Sequence, residues 1–412
     1  MKKLTILIVF CLIPTFTLQA QAEDKYRRSS LYSILVKHSE MDFAAEIVEV
    51  FNSIPIPDKF DDHNLNVRVI NAYISPSLKQ QIEEMQKESI ETFLSQNDIG
   101  RRVIAKWFNR DKASGSFNMN LVAQRGLYDA SVLDIQIADK DIRGRAMLAD
   151  AGEELIGNTF IIVNDIRYVN RLEQAAEKTE IFDDIAKNGI TTGNILKAQS
   201  TLRKLSVKIK GFEVNITSYL YRLDWTEEIA DTFYNNYWFD KNSINPNRKA
   251  AFDNDKKTFT ITYFGSQTVM SSGKTTMRGI NITTDEATIK REMIKKVCTR
   301  AIDEAIVQLQ RTYDEFKVKT PLISTKPITA YIGRKEGITE DTKFEVLEKN
   351  EDKNGRTFYK RIGIIQPVKE KIWDNRYLSV EEGFEGAEFG ATEFIKISGD
   401  DFYTGMLIRE IR

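Results

Sequence analysis

The chain has 412 residues, of which 42% are hydrophobic, 29% charged and 10% aromatic, and only 8 are proline. This length predicts two or three domains with cores of their own, and the composition excludes a disordered chain, a collagen-like repeat and a coiled-coil rod. Lys+Arg (59) balance Asp+Glu (60), so no excess of basic charge is available to neutralise phosphates and we expect no nucleic-acid partner.

Residues 1–22 have the pattern of a secretory signal peptide. Lys2 and Lys3 form a positive start, residues 4–16 are almost entirely apolar, and Ala20-Gln21-Ala22 has the small-x-small spacing that a signal peptidase accepts. The apolar run is shorter than the ~20 residues needed to span a bilayer. We therefore expect cleavage after the first or the second of these alanines, and export to the periplasm or cell envelope.

The mature chain keeps one cysteine, Cys298, which has no second cysteine with which to form an internal disulfide. It lies among the apolar residues of a predicted helix, where a cysteine behaves as a small hydrophobic side chain. No other apolar stretch approaches membrane-spanning length. We expect a mature protein that is soluble or peripherally associated with a membrane, and that is held together by core burial.

Apolar spacing assigns the first elements of the mature chain. Apolar residues at helical spacing from Leu31 to Phe51 predict a helix that ends before the proline-rich stretch 54–57. Residues 58–64 (DKFDDHN) predict a polar turn, and residues 65–74 predict a strand. The pair Ser75-Pro76 predicts the start of a helix over 77–94, which is followed, after a break at Asn97-Asp98, by a second helix over 99–108.

The middle of the chain is richer in strands. The predicted elements are a buried strand in 155–169 bounded by Asn164-Asp165, polar helices over 171–205, two strands within 204–225 and a half-buried strand at 257–265. Residues 264–276 (FGSQTVMSSGKTT) are similar to a phosphate-binding loop, but the spacing between the glycines is too long. We interpret this stretch as a region of β-turns.

A long helix over about 284–316 is the strongest helical prediction, because Thr283 and Glu286 form a capping box before an apolar stripe. After Pro321 the sequence changes to short strands, and Asn354-Gly355 predicts a hairpin. The expected fold class is α+β. A larger α+β domain over 23–320 is followed by a small β-rich domain over 321–412, which is barrel-like or sandwich-like.

Few residues are arranged for metal binding or nucleophilic catalysis. His38 and His63 are the only histidines. A cluster of Asp58, Asp61, Asp62 and His63 could hold a hard cation, but it lacks the alternating ligands of a calcium loop, and a solvated turn is the favoured interpretation. Carboxylate pairs are frequent, but adjacent carboxylates point apart. We expect no cofactor, no metal and no catalytic residue.

An aromatic-rich stretch between Tyr219 and Phe239 is the one candidate ligand site. Exposed aromatic rings stack on sugars or peptide side chains, whereas buried rings fill a domain core. The favoured interpretation is the core. The candidates for ligand contact are Tyr221, Trp225, Tyr237 and Trp238.

Several stretches resemble secreted proteins that are common in Bacteroidetes. The resemblance lies in LQAQAED at the end of the signal, in residues 26–64, in GFEVNITSYLYRLDW (211–225) and in residues 332–349. It implies location in the cell envelope and no assigned chemistry. Residues 298–310 (CTRAIDEAIVQLQ), a helix before a small β domain, are similar to envelope proteins of curli and flagellar assembly, over about a third of the chain.

These observations favour a secreted accessory or scaffold protein of the cell envelope that binds an envelope protein or glycan and does not catalyse. The alternative is a carboxylate-dependent hydrolase that acts on glycans or peptides. A hydrolase should have a cleft with converging carboxyl groups, whereas a scaffold should have an exposed interaction surface. The sequence does not indicate an oligomeric state.

Overall fold

The computed structural model describes residues 29–71, 79–129, 155–169, 211–274, 286–351 and 357–411. Several predicted features lie outside these residues. They are the signal peptide, the Ser75-Pro76 cap, the helices over 171–205, the capping threonine at 283 and the Asn354-Gly355 turn.

The first part of the structure is built on a mixed sheet of six strands. They are β1 (Ser30–Lys37), β2 (Asp61–Asp62), β3 (Val69–Asn71), β4 (Thr159–Tyr168), β5 (Gly211–Leu223) and β6 (Ile261–Lys274). The order is β2-β1-β4-β5-β6, and β3 also pairs with β1. β1 is parallel to β2, β3 and β4, whereas β4, β5 and β6 are antiparallel to one another in turn.

Helices cover both faces of this sheet. The described helices are α1 (Ala44–Ser53), α2 (Lys79–Gln96), α3 (Ile99–Trp107), α4 (Asn120–Asp129), α5 (Glu227–Asn236), α6 (Pro246–Asn254) and α7 (Glu286–Thr312). One apolar core contains residues of α2 to α6, and a second core, on the other face, contains residues of α1 and α7. Among the described helices none is both long enough and apolar enough to cross a membrane.

The prediction of a helix over the first apolar residues was wrong. The segment from Ser30 to Lys37 is the strand β1, which is buried almost throughout. β1 lies between parallel neighbours and has a helix layer on each face, so both of its faces are apolar. A strand of this kind lacks the alternation that distinguishes it from a helix in sequence. Helix α1 follows where the second half of the pattern predicted it.

Two predicted turns are also strands. Residues 58–60 form a turn with Asp58 exposed, as predicted, but Asp61 and Asp62 form β2. Asp61 and His63 are buried, so the solvated-turn interpretation was wrong for these two residues. Asn164 and Asp165 were expected to end a strand, but β4 continues to Tyr168. The Asn164 side chain is tolerated inside the sheet because its amide donates to Ser33 Oγ at 3.0 Å and its oxygen accepts from Ser218 Oγ at 2.7 Å.

The second part of the structure is a closed antiparallel barrel of six strands. They are β7 (Thr320–Thr325), β8 (Ile328–Ala330), β9 (Lys343–Glu351), β10 (Thr357–Pro367), β11 (Thr392–Gly399) and β12 (Leu407–Ile411). The closed order is β10-β11-β8-β7-β12-β9, and a separate apolar core fills it. The α+β fold class with a small β-rich end is therefore confirmed, and the β part is a barrel. The domain boundary at 320/321 stays a prediction.

Helix α7 joins the two parts through polar contacts. Arg311 Nη2 donates to the Gly337 carbonyl at 2.9 Å and Nε donates to Glu410 at 3.1 Å, so the end of α7 is attached to the barrel. Two turns earlier on the helix, Asp303 Oδ1 lies 3.8 Å from Lys335 Nζ of the barrel. Lys59 also faces this junction, where it donates to Gln310 Oε1 at 2.9 Å.

Burial is the main cause that raises the pKa of Asp303 to about 6; Glu336 acts in the same direction, and Lys335, Lys59 and Arg300 act against it. Burial also lowers the pKa of Lys59, although Glu336 and Asp303 oppose this. The junction therefore contains a carboxyl group that is more easily protonated in the folded state than in the unfolded state.

The position of Cys298 gives a first prediction. The thiol is fully buried in the core between α7 and the sheet, and burial raises its pKa to about 12. Because both accessibility and thiolate formation limit reaction, we expect slow labelling by a thiol reagent in the native state and fast labelling after unfolding. Cys298→Ser should lower the free energy of unfolding by about 1–3 kcal/mol, measured by urea denaturation. Native labelling as fast as that of unfolded protein would contradict the buried position.

The junction gives a second prediction. Asp303 binds a proton more tightly in the folded than in the unfolded state, so its own contribution to the free energy of unfolding should fall as pH rises from about 4 to about 7, against the opposite contribution of carboxyl groups whose pKa is lowered in the fold, such as Asp165 and Glu382. Asp303→Asn should remove this fall and raise stability at pH 7.5 by about 1–3 kcal/mol. Glu304→Gln, at the exposed neighbouring position, is the matched control. An unchanged pH profile in Asp303→Asn, measured by urea denaturation from pH 4 to 8, would contradict the assignment.

Candidate interaction site at the open edge of the sheet

Strand β6 forms one edge of the mixed sheet. It pairs with β5 along its whole length, from Ile261 opposite Leu223 to Lys274 opposite Gly211. No strand of the described residues pairs with its other side. The opposite edge is different, because β2 is a two-residue strand made of aspartates, and short, charged strands protect an edge from further pairing. The barrel is closed and has no edge.

The two faces of β6 have different neighbours. From Gly265 to Gly273 the odd-numbered residues face α7, since Val269 packs in the core with α7 and Gln267 Nε2 donates to Thr312 Oγ1 at 3.2 Å. The even-numbered residues face the other way. Among them Thr268, Met270 and Ser272 are on the side away from α7, and Met270 is 66% exposed.

Two glycines allow α7 to lie close against β6. A Cβ atom at Gly265 would lie 1.7 Å from Tyr313 Oη, and a Cβ at Gly273 would lie 2.6 Å from Val297 Cγ2. Between these points the strand rises roughly 26 Å and the helix rises roughly 24 Å. Because the two rises are nearly equal, the helix and the strand run antiparallel and stay side by side over this whole length.

Strand β6 itself carries no charged side chain over most of its length, and the charged groups beside it lie at its first residues, where Asp224 accepts from Thr262 Oγ1 and Lys87 lies over the Tyr263 ring. Residues 258–273 contain no Asp, Glu, Lys or Arg and no proline, although 29% of the chain is charged. Proteins protect a free edge with charges, prolines, short strands or bulges, and among these four devices the described strand β6 has the irregularity opposite Leu220 and Tyr221. A long, uncharged row of backbone donors and acceptors can accept another strand. This edge is the candidate interaction site.

The prediction of β-turns was wrong for residues 264–274, because β6 continues to Lys274, and residues 275–276 lie outside the described residues. This half of the strand consists mostly of serine, threonine, glutamine and glycine. It therefore lacks the alternation of apolar and polar residues by which a strand is recognised in a sequence. The sequence does contain a second signal, namely the run of uncharged residues 258–273. That run alone does not identify an edge, since the order of strands in a sheet is set by distant segments.

The four predicted ligand-contacting aromatics lie in or against an apolar core. Tyr221 and Tyr237 are buried, and Trp225 and Trp238 are half-buried. Trp238 stacks on Phe117 with ring centroids 5.9 Å apart. These positions agree with the core interpretation, and ligand contact by the four residues stays a prediction.

The predicted cluster of aspartates with His63, at β2, contains a positively charged side chain of the same chain, Arg125. Arg125 Nη1 donates to His63 Nδ1 at 2.9 Å, and His63 Nε2 lies 3.1 Å from the Val103 carbonyl. Burial and the neighbouring Arg125 hold the pKa of His63 well below its usual value, so this ring is neutral. Arg125 Nε also lies 3.8 Å from Asp61. The guanidinium of Arg125 thus lies beside the two residues, Asp61 and His63, that were considered as possible ligands of a hard cation.

His38 forms a buried pair that the sequence pattern did not predict. It follows β1, and its Nε2 lies 2.5 Å from Asp165 Oδ1 on the parallel strand β4. Burial alone would raise the pKa of Asp165, but hydrogen bonds from His38 and Arg167 hold it below its usual range. The adjoining cavity of about 10 Å³ has room for one water molecule and not for a substrate group.

An open depression of about 540 Å³ lies on the barrel, where the carboxyl groups of Glu348, Asp400 and Asp401 line it together with two lysines and Tyr403. All three carboxyl groups are exposed. A general acid that stays protonated at neutral pH usually lies in an apolar pocket. The depression therefore has the residue types of a carboxylate-dependent site but not its burial.

Comparison with known proteins adds no assignment. No protein-family model matches the chain, and no curated protein matches its sequence. The geometry of the described residues is therefore the basis for the functional proposal.

The close approach of α7 to β6 gives a third prediction. Gly265→Ala should lower the free energy of unfolding by about 1–3 kcal/mol, because the added methyl group overlaps the Tyr313 hydroxyl. Ser266→Ala, at the next position on the opposite face, is the control and should change stability by less than about 0.5 kcal/mol. In a Tyr313→Ala background the cost of Gly265→Ala should become smaller but should not vanish, because the φ of 158° at Gly265 disfavours a side chain even without the overlap; a urea double-mutant cycle measures the difference. An equal cost in both backgrounds would show that Tyr313 is not the obstacle.

Proposed function

We propose that this protein is an exported accessory or scaffold protein of the cell envelope, and that it binds another protein through the open edge of β6 without catalysis. The observation that carries the proposal is the 14-residue edge strand with an uncharged stretch through position 273. Such an edge binds an extended segment through main-chain hydrogen bonds, whereas the side chains on alternate positions provide selectivity.

The proposed location is supported by the signal-like residues 1–22 and by the resemblance to secreted envelope proteins. The proposed partner is a protein segment and not a glycan, because the edge presents backbone donors and acceptors with the spacing of a β-strand. The exposed rings that sugar binding usually needs are not part of β6 beyond position 264.

The alternative function is a carboxylate-dependent hydrolase that acts on glycans or peptides. It is favoured by one observation, the depression lined by Glu348, Asp400 and Asp401. Release of products from cell-wall glycan or peptide substrates, abolished by Asp400→Asn with Asp401→Asn, would support this alternative. The scaffold proposal predicts that the wild-type protein and the double variant both release negligible product.

Photocrosslinking in the native host tests the scaffold proposal. With p-benzoylphenylalanine at Met270, we expect the protein in the envelope fraction and covalent adducts with a protein. The matched control carries the same group at Phe358, which is 48% exposed on barrel strand β10 and should give few adducts. Retention in the cytoplasm, or equal yields from both positions, would contradict the proposal.

A further inference from the structure

We propose that the strand that occupies the open edge is β6 of a second copy of this chain, paired antiparallel about a two-fold axis. The proposal deepens the proposed function, since it rests on the same edge, and it names the partner. Two-fold dimers in which the same surface faces itself are the commonest oligomers of soluble proteins.

The charge pattern is compatible with self-pairing. In an isologous pair residue i of one copy of β6 faces residue j of the other, and j faces i, so a charged residue close to the two-fold axis would lie beside the same charge of the other copy. Residues 258–273 contain no charge, and therefore no register within this stretch places like charges opposite each other. Without residues 1–22, which contain two lysines and no acidic residue, the chain has 57 Lys and Arg against 60 Asp and Glu, a formal net charge of −3, so two copies do not repel each other strongly over longer distances.

The side chains of β6 are also suited to pairing with themselves. Hydroxyl-bearing residues occur on both faces of the strand between Ser266 and Ser272, and cross-strand pairs of threonine and serine stabilise antiparallel sheets. The structure already contains one such pair within the sheet, since Thr217 Oγ1 and Thr268 Oγ1 are 2.9 Å apart on β5 and β6. Contacts of the same kind can form across the two-fold axis.

The symmetry fixes how the helices are arranged. Antiparallel pairing at a sheet edge requires a two-fold axis perpendicular to the sheet, and this operation keeps each face on its own side. Helix α7 of both copies would therefore lie on the same face of the continuous sheet, one on each side of the axis. The exposed side chains of Glu304 and Thr312 show that α7 is not enclosed within the described residues.

The expected affinity is moderate. Antiparallel pairing supplies about one backbone hydrogen bond per paired residue, and the total gain is of the same size as the cost of associating two molecules. A dissociation constant on the order of micromolar is therefore expected, and the dimer should be concentration-dependent.

Sedimentation equilibrium of the purified protein from about 1 to about 100 μM tests the proposal. The wild-type protein should convert from monomer to dimer over this range. Met270→Lys should raise the dissociation constant at least about tenfold, because a charge in the middle of an edge strand opposes pairing. Met270→Thr, an uncharged change at the same exposed position, should leave the dimer intact.

Two further variants test whether the effect of the lysine is specific to β6. Ile395→Lys places the same charge on the exposed outer face of the barrel and should not alter dimerisation. Thr268→Lys replaces Met270→Lys if that variant fails to show a native circular dichroism spectrum and a cooperative melt. A wild-type protein that stays monomeric at about 100 μM, or lysine and threonine variants that dimerise equally, would overturn the inference.

The outcomes separate this inference from the proposed function. A monomer in solution whose position 270 crosslinks to a different envelope protein removes the second copy and keeps the scaffold proposal. A dimer lost in Met270→Lys, in a protein that stays in the cytoplasm, keeps the second copy and removes the envelope function. Loss of dimerisation only in Ile395→Lys places the contact on the barrel and overturns the inference.

Discussion

The packing of helix α7 against β6 is the constraint on which the rest of the structure depends. Glycines at positions 265 and 273 let the helix lie directly on the strand, and the apolar side chains of the same helix fill one core of the sheet. The polar side of α7 contacts the barrel through Arg311 and Asp303. One helix thus sets the position of the edge strand and the attachment of the second part of the molecule.

This arrangement protects one face of β6, and no strand of the described residues pairs with its outer edge. Packing of the odd-numbered residues under α7 stabilises the strand in an extended conformation, so its outward amides and carbonyls are held ready for a partner. A partner strand would gain hydrogen bonds without the cost of ordering β6, and preorganisation of this kind increases affinity. The short strands at the opposite edge and the closed barrel do not offer such a row. The proposed function therefore depends on backbone geometry and not on a catalytic group.

Much of the fold could be predicted from local patterns. The helices α2 and α3, the strand β4 and the change from a long helix to a β-rich end all follow from apolar spacing and composition. The strand β1 was missed because a strand buried on both faces has no alternation. The second half of β6 was missed because most of its residues are polar or glycine, so apolar residues do not recur at every second position. The pairs His38–Asp165 and Asp303–Lys335 join residues that are far apart in sequence, and local patterns contain no information about them.

The most direct test of the open edge is amide hydrogen exchange of β6, followed residue by residue by NMR in dilute protein. In an edge strand alternate amides point toward the neighbouring strand and the others point outward. Between Ser266 and Gly273 we expect alternation, with amides bonded to β5 protected and the intervening amides exchanging nearly as fast as in an unfolded chain. Uniform protection of all these amides at the lowest concentration would contradict an open edge, because it would show that another part of the same chain covers it.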